Sequence, residues 1–389
     1  MDCSKAFDMV EWVALFEGLM KKGVKAVSIR LLMNIYKDQY CDVRWNGRFS
    51  SRFPISNGVR QGSVTSPILF SCYVDKLIKL LRASNIGCRI ADNYFGVFIY
   101  ADDIFLLSAS RPGLQAMVNI CQDFANEHNL KFSTNPNPEK SKTKGIIFSK
   151  KFVDKTKVAP IMLGDDPLPW RDNVKLLGNI LESDNSMKID CDMKRCKFIG
   201  KMHSLNQEFS FVSPEIKMKL MNIYTTSFYG SSLYRLYSNQ CDKLYHAYNI
   251  CVRNIFSVPR RTHTYLIETI SECLHPKVMI CARFVKFVKS LNNCNKSGIY
   301  FLIKLVQNDN STVCGKNMAE IASLCNIEKN VLSSHEVKQQ MKYSKIPDSE
   351  VWRENMLTEM LLYRNCDFIK IDNFLKQEID DIIDMVCTM

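Results

Sequence analysis

Two adjacent carboxylates between two strongly apolar runs, in Tyr100-Ala101-Asp102-Asp103, constrain this chain more than any other feature. Gly96-Val97-Phe98-Ile99 precedes them and Ile104-Phe105-Leu106-Leu107 follows. Both runs are rich in β-branched and aromatic residues, so they read as buried strands joined by a tight turn with the acids at its tip. Two charges between core strands are costly unless a positive partner offsets them, and a divalent metal is the usual one. Aspartate is also common in ordinary polar turns, so the pair alone leaves both readings open.

The rest of the chain narrows the choice. Its 389 residues, 46% hydrophobic and 24% charged, have the composition of a folded protein with room for roughly two or three domains. The net charge of +12 favours a polyanionic partner such as nucleic acid. The 16 cysteines form no Cys-x-x-Cys pair and follow no secretory signal, which predicts reduced thiols in an intracellular protein of the cytoplasm, the nucleus or both. Cys273, His275 and Cys281 come nearest to a metal knuckle, but their spacing fits no zinc pattern well, which favours buried or incidental residues. No apolar run is long enough to span a bilayer, so no membrane partner is expected.

Taken from Met1, the chain opens with Met1-Asp2-Cys3-Ser4-Lys5-Ala6-Phe7-Asp8. Asp8 and Glu11 suggest a capping box for a helix through Lys22, with Val13, Phe16 and Met20 near one face and Gly23 as its stop. A second helix is expected around Ala26 to Tyr36. Asn46-Gly47 then marks a hairpin within Asp42 to Phe53. The loop Asn57-Gly58-Val59-Arg60-Gln61-Gly62-Ser63 leads into a helix to about Arg82, with Ser66 as cap and Pro67 in its first turn. Glycines there allow backbone amides to approach a ligand, and Arg60 and Gln61 offer donors. Beyond the acidic hairpin, Ser110 caps a helix from Pro112 to His128. A loop follows with Lys140, Lys142 and Lys144 on alternate positions, and Leu177-Gly178 interrupts a small hairpin. From Ser186 the pattern becomes helical and basic, with Tyr224, Tyr229, Tyr234, Tyr237 and Tyr245 interleaved, a composition suited to a sugar-phosphate backbone. The end of the chain turns acidic at Glu378, Asp380, Asp381 and Asp384.

A paired-acid hairpin, an earlier lone acid and a glycine-rich donor loop between them are the parts of a two-metal phosphoryl transferase, in which ions about 3.5 to 4 Å apart draw carboxylates from separate strands. The three blocks, Asp2 to Asp8, Gly58 to Ser63 with Ser66-Pro67, and Tyr100 to Asp103, together with the lysine loop and Leu177-Gly178, resemble the reverse transcriptase of LINE-type (non-LTR) retrotransposons. The resemblance is nearest to the Jockey and chicken-repeat-like groups. It covers Met1 to about Arg261 and implies an α+β fold. A polymerase palm, an antiparallel sheet with packed helices, would occupy 1–185, a basic helical thumb 186–261 and a helical region of unassigned role 262–389.

The resemblance implies that Asp2, Asp102 and Asp103 hold two Mg²⁺ ions, with the backbone carbonyl of Cys3 as a further ligand. Phe7 matches the gate that excludes a ribose 2′-OH. Arg60, Gln61 and Gly62 would meet the incoming nucleotide and template, and Lys140 or Lys142 would protonate the leaving pyrophosphate. Leu177 and Gly178 match the primer grip. The implied partners are an RNA template, a DNA primer and dNTP, with oligomeric state left open. The family's finger region should precede the first block, so a truncated copy, inactive alone and with the strand of Asp2 cut at its root, is expected. Two other readings stay open: a non-catalytic nucleic-acid-binding remnant, and a relative of group II intron maturases.

Overall fold

The computed structural model describes residues 1–343 except 138–139, 150, 263, 265–266, 268–270, 272 and 295–297. The acidic stretch from Glu378 to Asp384 lies outside the described residues. The chain mixes helices and strands and divides into two compact units, Met1–Val174 and Lys175–Met389.

In the first unit the core is built on α1 (Trp12–Lys21), α2 (Ala26–Lys37), α3 (Ser66–Ala83) and α4 (Arg111–Glu127). The expected capping box does not form. Glu11 occupies the cap position of α1 with no side-chain capping bond, and Asp8 lies in the turn before it. The buried face is Leu15, Phe16 and Leu19, while Val13 and Met20 are 74% and 56% exposed. Nearly every position of this short helix is apolar, so periodicity leaves the face undetermined and packing against α3 selects it. Gly23, at φ +77°, ends the helix as expected. Pro67 sits in the first turn of α3, but Ser66 is already helical and buried, and its hydroxyl has no hydrogen-bond partner. Ser110 does cap α4, its hydroxyl accepting from the Gly113 N–H at 3.2 Å.

The strands are short and paired as ribbons. Arg44–Trp45 pairs with Arg48–Phe49 around Asn46-Gly47, both turn residues at positive φ, as a two-residue hairpin requires. Val97–Tyr100 pairs with Asp103–Leu106, leaving Ala101-Asp102 as the turn. These two strands are not buried on both faces. Val97, Ile99 and Ile104 pack on the core, whereas Phe98 and Tyr100 are 39% and 65% exposed.

The second unit begins with the hairpin Asn173–Leu176 and Asn179–Glu182, whose first residues belong to the end of the first unit. Helices α5 (Lys188–Glu208), α6 (Pro214–Tyr224), α7 (Asn239–Ile255), α8 (Pro276–Asn292), α9 (Gly298–Gln307), α10 (Val313–Cys325) and α11 (Ser334–Tyr343) follow. One apolar cluster joins Phe198, Met221, Leu244, Tyr248, Val285 and Ile321, so helices on both sides of residue 262 share a core. Among the described residues, no helix is long and apolar enough to cross a membrane.

Candidate active site

Strand pairing brings distant carboxylates together. Cys3–Ser4 pairs antiparallel with Lys131–Phe132 on one edge. On the other edge Met1 exchanges two backbone hydrogen bonds with Ile104, at 2.6 and 2.9 Å, and the Cys3 N–H donates to the Asp102 carbonyl at 3.2 Å. Met1–Ser4 is therefore paired on both sides. This register sets Asp2 directly opposite Asp103, so their side chains leave the same face of the sheet. Asp102 occupies the turn beside them, after Ala101 at φ +52°, a left-handed conformation that a non-glycine residue adopts only when its surroundings impose it.

The electrostatics mark this corner as short of positive charge. Burial, then the carboxylate of Asp102, raises the Asp103 carboxyl above its ordinary range; the amino group of Met1 opposes this and Asp2 adds to it. Burial with Asp102 and Asp2 pushes the Cys3 thiol up to about 11, so its sulfur stays protonated and only its carbonyl could serve a metal. The nearest lysine is Lys142, whose ammonium lies 3.9 Å from Asp2 on a side chain that is 73% exposed, a weak partner in water. Opposed carboxylates repelling one another are an oxygen donor set that suits a hard divalent cation. They are not a finished cage: among the described residues, no three His, Cys, Asp or Glu side chains are grouped to hold one ion.

The second block is docked on the first. The Gly58 N–H donates to the Val10 carbonyl at 2.8 Å and the Val59 N–H to the Phe7 carbonyl at 2.7 Å. Trp12 closes the junction, its indole N–H donating to the Gly58 carbonyl at 2.8 Å. Gly58 has φ +89°, and a Cβ there would lie 2.9 Å from the Asp8 carbonyl oxygen, so only glycine allows this approach. Phe7 is half-buried with its ring edge-on to Phe70, the centroids 5.1 Å apart. Gln61 reaches Asp8 at 3.4 Å, while Arg60 and Gly62 are exposed.

Behind Asp2 the lysine loop alternates. Ser141 and Thr143 are buried, whereas Lys140, Lys142 and Lys144 face outward. The Thr143 hydroxyl accepts from the Asp2 N–H at 3.2 Å, and the Ser141 hydroxyl donates to the Thr143 carbonyl at 2.9 Å. Thr143 was not singled out from sequence, although the strict lysine alternation signals that something small and polar faces inward. The structure brings Lys142, not Lys140, to Asp2.

In the second unit, Leu177 and Gly178 form an exposed turn at φ +45° and +82°. Tyr224, Tyr229 and Tyr237 are exposed, but Tyr234 and Tyr245 belong to the core. A 560 Å³ groove between α5 and α7 has Ile199, Met202 and Ile250 in its lining and the cations Arg195 and Lys243 beside them. Cys273, His275 and Cys281 make no knuckle. His275 is buried at the start of α8, where Nδ1 accepts from the Lys277 N–H at 3.2 Å and Nε2 faces Asn249 at 3.2 Å. Burial pushes the Cys281 thiol up to about 12.

The site thus consists of an acid-tipped hairpin paired to a first acidic strand, with a glycine loop docked alongside. Residues 1–181 match the family described as reverse transcriptase (RNA-dependent DNA polymerase). The chain is similar to the Pol polyprotein from type-2 retrotransposable element R2DM of Drosophila melanogaster, 31% identical over 146 residues, which is 38% of this chain and 13% of that protein. It is also similar to the Pol polyprotein from type-1 retrotransposable element R2 of Nasonia vitripennis, 30% identical over 154 residues, 39% of this chain and 14% of that protein. A Popillia japonica R2 polyprotein matches at 31% over 113 residues, 28% of this chain and 18% of its own length. The resemblance is thus to the reverse transcriptases of non-LTR retrotransposons, and the match spans a small part of those polyproteins.

Proposed function

We propose that the chain carries the catalytic core of an RNA-directed DNA polymerase of a non-LTR retrotransposon. The 3′-OH of a DNA primer would attack the α-phosphate of a dNTP chosen by an RNA template, releasing pyrophosphate. The observation that carries this reading is the pairing of Asp2 opposite Asp103 with Asp102 at the adjoining turn. Asp2, Asp102 and Asp103, with the Cys3 carbonyl, would hold Mg²⁺, which when bound supplies neutralisation of charge on the reacting phosphate. Phe7, carried on the turn that docks the glycine loop, would bound the sugar, and Arg60, Gln61 and Gly62 would line the nucleotide and template side. Lys142 is favoured over Lys140 as proton donor because it is the one beside Asp2. On this reading 1–185 acts as palm, 186–261 as thumb with Leu177-Gly178 as primer grip, and 262–389 keeps no assigned role. The wording of the first block points towards Jockey and chicken-repeat-like elements, while the matched relatives named above are R2 elements.

A binding-only copy is the second reading, favoured by the absence of a grouped set of three ligating side chains among the described residues. RNA-templated primer extension with Mg²⁺ separates the two, using the chain alone and the chain joined to the reading frame upstream of it. Incorporation in either form that Asp102→Asn abolishes is the expected result. Salt-dependent RNA binding untouched by that substitution, with no incorporation in either form, would overturn the polymerase reading.

A further inference from the structure

The turn Leu177-Gly178 is held in a shape that its own residues do not choose. Leucine at φ +45° is disfavoured by its Cβ, so neighbouring groups must impose the conformation. They are identifiable. Asp190, in the first turn of α5, is fully buried, and its carboxylate accepts from the Ile180 N–H at 2.8 Å, the Lys194 ammonium at 2.7 Å and the Tyr234 hydroxyl at 3.0 Å. Lys194 donates in turn to the Asn179 side-chain oxygen at 2.6 Å and stands 6.0 and 5.6 Å from the ring centroids of Tyr229 and Tyr234. The two residues that follow the turn are thus gripped through one backbone N–H and one side chain. From the other side the Tyr229 ring closes on Gly178, where a Cβ would lie 3.3 Å from it. Gly230 is needed as well, because a Cβ there would fall 1.8 Å from the Asn179 oxygen.

A buried ion pair is poor evidence for stability, since apolar residues of similar volume serve as well. Its value lies in fixing one arrangement, and here the hydrogen bonds converge on the strand leaving the turn. We propose that Asp190 and Lys194 are positioning residues that lock the Leu177-Gly178 turn in the shape that binds the primer. The primer half of this inference rests on reading that turn as the primer grip.

The test uses Lys194→Met and Asp190→Asn in the full chain, plus the double variant Asp190→Leu with Lys194→Met, which leaves no lone buried charge to unfold the protein. Amide exchange judges the turn without any need for polymerisation. Residues 176–182 are expected to exchange about tenfold faster while α7 is unchanged. Equal acceleration in both segments, or none in either, would overturn the inference. Primer titration, in whichever form of the chain extends primers, judges the second half. The KM for primer is expected to rise about tenfold with kcat within about twofold of wild type, and Lys194→Arg to recover part of the loss. A loosened turn with unchanged primer KM would refute the link to the primer. A wild-type chain that extends nothing would instead refute the polymerase reading and the primer half with it, leaving the exchange experiment to decide the turn alone.

Discussion

Asp103 in the first unit, on a strand of a hairpin, and Asp190 in the second, in the first turn of α5 beside a hairpin, are treated in opposite ways. Asp190 is fully buried and satisfied by a backbone N–H, an ammonium and a hydroxyl. Asp103 is only partly buried, yet it shares its corner with two further carboxylates against the Met1 amino group and one loosely held lysine, and its proton affinity is raised. A protein that wanted only a stable hairpin would have no reason to keep the second arrangement. Uncompensated charge of this kind marks a site that awaits a cation or a polar ligand, whereas compensated charge marks the frame.

The comparison can be broken most forcefully at Asp190. Asp190→Ala strands the Lys194 ammonium in the interior, so denaturant unfolding is expected to show a loss of about 3 to 5 kcal/mol; a loss below about 1 kcal/mol would mean the pair is not part of the frame. Asp103→Asn should do the reverse, leaving the unfolding midpoint unchanged or slightly raised while RNA-templated incorporation falls by about 10² to 10³-fold. A smaller effect follows from the docked loop. Gly58→Ala places a methyl group against the Asp8 carbonyl at a left-handed backbone position, at an expected cost of about 1 to 2 kcal/mol, with Phe7 shifting as the loop lifts.

The smallest effect is a pH dependence that sets Asp103 against an ordinary surface acid. The hydrogen bond from Lys22, aided by Lys79, holds Asp75 below the usual carboxylate range. Its contribution is present above the unfolded-state value and is lost as pH falls through the lower folded value. Asp103 is shifted the other way, so its ionisation destabilises the fold as pH rises from the ordinary carboxylate value through the raised one. Asp75→Asn should therefore flatten the acid limb of the stability curve by less than about 1 kcal/mol, and Asp103→Asn should remove a fall that begins at higher pH. Thermal unfolding across that range measures both, and a single shared slope would contradict the contrast.

Local rules were legible along the chain wherever one short segment settled its own shape. Asn46-Gly47, the Ser110 cap and Gly23 all follow from backbone preferences of the residues themselves. The same rules misjudged Asp8 and Ser66, both suitable caps by type, because the chain around each has another use. Asp8 stays in the turn that docks Gly58, and Ser66 is carried into the buried side of α3. The face of α1 could not be read because its apolar residues surround it.

By itself the sequence determined the order of the three blocks, the acid-tipped hairpin, the helical and basic character after residue 186, and the alternation of lysines around Thr143. Only the family resemblance, and no local pattern, pointed to Asp2 meeting Asp102 and Asp103; nothing in the sequence said that Lys142 and not Lys140 would approach Asp2, or that Asp190 and Lys194 would hold the turn at Leu177. Those facts depend on which segments meet across long stretches of chain. Pairing of that sort is decided by the joint burial of apolar faces and the satisfaction of backbone groups in the folded whole, and no local pattern records it.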